Sequence, residues 1–91
     1  MDTNHGSVLL YLYGGYHSNC NITLAMLDKV SSLRPDVKII KINTLNNYQI
    51  KIDYQVKALP ALIYLENGFF KGKITGNLNY QKVLALLNGS D

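Results

Sequence analysis

Cys20 is the single cysteine of the chain, and His17 stands three residues before it in Tyr16-His17-Ser18-Asn19-Cys20. A thiol and an imidazole at this spacing suggest two kinds of chemistry. In the first, Cys20 attacks a disulfide as its thiolate, the nucleophilic form of the side chain. An ordinary cysteine, with a pKa of about 8.5, is only a few per cent thiolate at neutral pH. The helical pattern that begins near Asn19 would favour the anion, and the same field would keep His17 neutral and able to take the thiol proton. In the second, an H-x-x-C pair supplies half of the usual zinc ligand set, so two chains would have to close the site, with His5 as a further donor. A third alternative is inert: most lone cysteines are small buried hydrophobes, and His17 is then a solvated loop residue. One thiol cannot form a disulfide within the chain.

Composition narrows the setting. The 91 residues are 47% hydrophobic and 16% charged, enough apolar content for a core but too short for two, since separate domains need roughly 50 residues each. The expectation is one domain over residues 1–91, with 1–7 as a flexible tail. No apolar run reaches the about 18 residues of a membrane span, and Met1-Asp2-Thr3-Asn4-His5-Gly6 is too polar for a secretory signal. These features imply no membrane association and a cytoplasmic location, where a lone cysteine stays reduced. The formal charge of +3 is spread over dispersed lysines, so no nucleic-acid partner is expected. No cofactor and no resident metal are expected either.

The elements that must position Cys20 follow from periodicity. Val8-Leu9-Leu10-Tyr11-Leu12-Tyr13, between Gly6 and Gly14-Gly15, reads as a strand buried on both faces. A helix follows from about Asn19 to Leu33, with Cys20, Ile22, Leu24, Met26, Leu27, Val30 and Leu33 on one wide arc, and Pro35 stops it. Val37–Ile42 is a β-branched strand, and strand, helix and strand make a right-handed crossover unit. Residues 47–55 are ambiguous. Tyr48, Ile50, Ile52 and Tyr54 alternate as in a strand, yet Asn46-Asn47 offers a cap and the same residues form i,i+4 pairs; the reading adopted is a short helix. Ala61–Leu65 and Phe69–Thr75 flank the hairpin signal Asn67-Gly68. Tyr80, Val83, Leu84 and Leu87 then repeat at helical spacing between an Asn79 cap and a Gly89 terminator. The fold class is α/β: β-α-β-α-β-β-α, a four-stranded mixed sheet with helices on both faces.

This order, with particular residues at its corners, resembles the thioredoxin family over about Val8 to Gly89. The family's Trp-Cys-Gly-Pro-Cys corresponds to Tyr16-His17-Ser18-Asn19-Cys20, and its Gly-Ile-Pro to Ala58-Leu59-Pro60. Gly76 takes the place of the glycine lining the family's substrate groove. Asp53-Tyr54-Gln55-Val56 resembles the approach to the proline, and Glu66-Asn67-Gly68 resembles the hairpin. The resemblance implies a cis Leu59–Pro60 bond, against the alternative of a trans proline opening a strand. It also implies a degenerate motif: the nucleophilic cysteine falls on His17, and Cys20 matches the second, resolving cysteine. The family's buried aspartate falls on Tyr11, and Lys41 keeps a nearby lysine that would be solvated. What remains implied is weak monothiol exchange through Cys20 and His17 in cell redox homeostasis, with a polypeptide or thiol partner such as glutathione. The alternative is a redox-silent module that binds polypeptide at a groove of Tyr16, Leu59, Pro60, Thr75 and Gly76.

Overall fold

The computed structural model describes residues 6–14, 20–76 and 78–88, with the backbone alone at 20–22. Its elements run β1 (Ser7–Tyr13), α1 (Cys20–Leu33), β2 (Val37–Asn43), α2 (Tyr48–Asp53), β3 (Ala61–Glu66), β4 (Phe69–Thr75) and α3 (Tyr80–Leu87). The sheet order is β2-β1-β3-β4, with β1 and β2 parallel and the other pairs antiparallel. Helices cover both faces, so the α/β architecture is the one expected.

β1 explains the layering. Val8, Leu9, Leu10, Tyr11 and Leu12 are all 0–1% exposed, because a central strand with a continuous apolar run has no face left for water. Successive side chains alternate. Leu9 and Tyr11 join Leu27 and Val30 of α1 and Val83, Leu86 and Leu87 of α3 in one cluster. Val8, Leu10 and Leu12 join Ile42, Val56 and Ile63 in the other, against which Ile50, Tyr54 and Leu59 pack.

Two apolar arcs differ from expectation. In α1 the stripe is narrower: Thr23, Leu27 and Val30 are buried at i, i+4, i+7, whereas Leu33 is 57% exposed. At 100° per residue Leu33 lies about 60° round from Val30 on the side opposite Leu27, at the edge of the stripe, and it is the last residue of the helix. In α3, Leu86 is buried and Leu84 only partly so. Gly72 of β4 makes that possible, since a Cβ there would stand 2.7 Å from Leu86 Cδ1.

The ends of the helices also separate. Asn79 caps α3 by accepting the Lys82 amide at 2.8 Å. Asn47 precedes α2 but makes no side-chain cap bond, and the nearby Asn43 Oδ1 takes the Leu45 amide instead. The stretch with two periodicities is helical, and it ends in an i→i−5 bond from the Val56 amide to Lys51 O at 2.8 Å. That closure puts Gln55 at φ 55°, a left-handed position that favours glycine. Gly89, expected to end α3, lies outside the described residues.

Asn67 and Gly68 both have positive φ, as a tight hairpin turn requires. Asn67 also exchanges two 2.9 Å bonds with Gly6, its amide donating to Gly6 O and its Oδ1 accepting the Gly6 amide. This corrects the expected tail of 1–7 at its inner end: Ser7 is strand and Gly6 is tied to the hairpin. A β-bulge lies between β3 and β4, where Tyr64 pairs with Gly72 and Leu65 with Phe70, leaving Lys71 as the extra residue.

Gln55→Gly relieves a left-handed conformation that costs about 1–2 kcal/mol, against about 0.4–1 kcal/mol for a more flexible unfolded chain. Thermal unfolding followed by circular dichroism is expected to show Tm higher by about 3–6 °C; a lower Tm contradicts the assignment. Asn79→Ala is expected to cost about 1 kcal/mol in denaturant titration. Asn47→Ala, which removes no cap bond, is expected to stay within about 0.5 kcal/mol of the parent.

Candidate functional site

The C-terminal end of β1 is where the candidate residues gather. Leu12 pairs with Ala61 of β3, and Ala61 with Thr75 of β4. One step beyond that row, Pro60 O accepts the Gly76 amide at 2.9 Å, so the residue before β3 is bonded to the residue after β4. The Leu59–Pro60 peptide is cis. Leu59 and Pro60 are half-buried, Leu59 packing against the cluster beneath α2, and Thr75 is exposed. Gly76 has φ +80° with no heavy atom within 4 Å of where its Cβ would stand. Its backbone conformation, and not crowding, accounts for glycine there.

On the other side of β1 the strand end is held by Thr44. Its amide and its Oγ1 both donate to Tyr13 O, at 2.9 and 3.0 Å, and Thr44 is 4% exposed. β1 ends at Tyr13, and the next described element, α1, begins at Cys20. No acidic residue occupies the first turn of α1, so nothing there offsets the positive end of the helix dipole.

The structure therefore brings Leu59, Pro60, Thr75 and Gly76 together beside the end of β1. Tyr16 and His17 lie outside the described residues, as does the side chain of Cys20. Tyr11 is 1% exposed and shares the α1 face of the sheet. Its ring stacks on Tyr13 with centroids 5.6 Å apart and planes at 22°. Lys41, its register partner on β2, is exposed. Arg34 and Asp36 stand just past the far end of α1. The hydrogen bond between them raises the guanidinium and lowers the carboxyl. No group of three His, Cys, Asp or Glu side chains suited to a metal occurs among the described residues.

Sequence reasoning missed Thr44. Asn43 to Asn47 reads as a polar connection, and a buried hydroxyl in it carries no periodic signal. The one available clue was its place directly after a strand that runs parallel to β1, where a short polar side chain can bond neighbouring backbone.

The comparisons with known proteins agree with the fold. Thioredoxin of Mycoplasma genitalium is 23% identical over 82 residues, which is 90% of this chain and 80% of that protein. The oxidized form of mitochondrial thioredoxin 3 from Saccharomyces cerevisiae superposes with a TM-score of 0.83 at 20% identity, covering 94% of this chain and 81% of that one. Fasciola hepatica thioredoxin gives a TM-score of 0.82 at 17% identity, covering 97% and 85%. At those identities the two structures speak for the fold. The family model described as Thioredoxin matches residues 1–88, nearly the whole sequence, and on that match the chain belongs to the thioredoxin family.

Proposed function

We propose that this protein performs single-thiol exchange through Cys20, with the guest chain lying beside Leu59–Pro60 and Thr75–Gly76. Family membership supports a thiol–disulfide type of function and a polypeptide partner in general. The finer reading concerns how one thiol manages it. Cys20 is the only cysteine in the sequence, so no disulfide can form within the chain and an external thiol must complete each cycle. The thiolate of Cys20 attacks one sulfur of a partner disulfide, forming a mixed disulfide and releasing the other sulfur as a thiolate. A second thiol, glutathione or a cysteine of the partner, then attacks the mixed disulfide and releases Cys20 as a thiolate.

The supporting observation is the 2.9 Å bond from the Gly76 amide to Pro60 O. It joins proline and glycine at the same end of the sheet from which the chain runs to Cys20. Two features favour the thiolate: Cys20 opens a 14-residue helix, and the first turn carries no carboxylate. His17 is assigned the role of base for the thiol proton, and Tyr16 that of an aromatic rim for the guest. Leu59 offers backbone groups to an extended guest, the usual route by which one chain adds to the edge of another. In a reducing cytoplasm the mixed disulfide would be short-lived. A redox-silent binding module is the competing reading, and it uses the same corner without the sulfur.

Alkylation of the native protein with iodoacetamide between pH 5 and 9 separates the two. Exchange predicts that Cys20 titrates below about pH 7.5, and that His17→Ala moves the midpoint upward by removing the base. Labelling that appears only after denaturation contradicts exchange and assigns the corner to binding alone.

A further inference from the structure

One edge strand holds the proline segment at both ends. Lys73 of β4 donates from Nζ to Tyr54 O at 2.9 Å and to Gln55 O at 2.8 Å. Three residues later, Gly76 donates to Pro60 O at 2.9 Å. Phe70, on the same strand, stacks on the Tyr54 ring at 5.9 Å and 30°.

Strand alternation alone would not allow this. Phe70 and Lys73 are three residues apart, so a regular strand would send them to opposite faces. The bulge at Lys71 changes the parity. Phe70 pairs with Leu65 and Lys73 with Ile63, and both partners belong to the cluster on the α2 side. The irregularity in β4 therefore turns a ring and an ammonium toward the same helix end.

The chemistry of that end suits a lysine. The carbonyls at a helix C-terminus lack intrahelical N–H donors and lie at the negative end of its dipole. An ammonium has three donors and can serve two carbonyls at once. Between the two backbone ties, Lys57 and Ala58 are exposed and Val56 is 5% exposed, its side chain in the core.

We infer that Lys73 is a positioning residue for the candidate site: its ammonium fixes the start of the Gln55–Pro60 segment to β4, the strand whose end fixes Pro60. The placement of Leu59 and Pro60 against Thr75 and Gly76 is then set from β4, through a side chain three residues before Gly76. Its functional meaning rests on reading this corner as the guest site, whereas its physical content does not.

The test is residue-resolved amide hydrogen exchange on the full chain, by NMR, for Lys73→Met and Lys73→Arg. The methionine keeps the aliphatic stem and removes the donors, and the arginine keeps charge and donors. Lys73→Met is expected to speed exchange on the order of ten-fold at Val56 and at Gly76, through local opening, while Leu10 and Ile63 in the sheet centre keep the parent rates. Lys73→Arg is expected to restore both. An unchanged Gly76 would mean that Lys73 caps α2 without positioning the proline, and overturns the inference. So does equal acceleration at Leu10 and Ile63, the mark of a general loss of stability, or an arginine variant as loose as the methionine one. No ligand enters the measurement, so failure of thiol exchange or peptide binding would overturn the proposed function and leave this result standing.

Discussion

The burial of β1 on both faces is the constraint on which the rest of the molecule depends. A strand whose five central side chains are 0–1% exposed must be flanked by strands on both edges and covered on both faces. Its C-terminal end is then the place where the chain can emerge with functional groups. Burying a large apolar side chain contributes about 1.5–3 kcal/mol, so several such side chains on one strand outweigh any preference of the connecting segments. The partners follow from this. β2 must return parallel after a covering helix, and β3 must run antiparallel, because Leu10 packs between Ile40 and Ile63 in register. Pro60, at the start of β3, and Thr44, at the end of β2, are thereby delivered to the two sides of the Tyr13–Gly14 exit.

That exit is held chiefly by backbone bonds. Tyr13 O takes two donors from Thr44, and Pro60 O takes the Gly76 amide. Bonds of this kind each contribute only about 1 kcal/mol net, but they fix distances that apolar packing leaves loose. The division is structural: the two clusters supply stability, and the polar ties set where the proline and glycine stand. Lys73 extends the same logic outward, since an ammonium on an edge strand does for the α2 end what main-chain amides do at the exit.

The parts legible in the sequence share one property, that a local pattern and the tertiary environment agree. The run of Val8 to Tyr13, the Asn67-Gly68 turn and the Asn79 cap each carry a signal a few residues long, and each appears where that signal puts it. The parts that were not legible need information from elsewhere in the chain. Leu86 is buried in place of Leu84 because Gly72 lies opposite. Lys73 faces α2 because Lys71 is bulged out, and an extra lysine in a strand leaves no mark in the sequence. Gln55 occupies a left-handed position with no glycine to announce it. The site divided in the same way. Leu59, Pro60, Thr75 and Gly76 were reached by resemblance and stand together, whereas Thr44 was hidden in a polar connection.

Family membership accounts for the fold and for thiol–disulfide function in general terms, and the single cysteine makes this chain a distinct chemical case. The account stands on one spatial claim: a guest joined to Cys20 lies along the proline corner. The direct measurement drives Cys20 into a mixed disulfide with a short cysteine peptide bearing an activated leaving thiol, and compares backbone amide chemical shifts with those of the unmodified protein. The account predicts the largest changes at Leu59, Ala61, Thr75 and Gly76. Changes confined to α1, with the residues around Pro60 at their original positions, would contradict it.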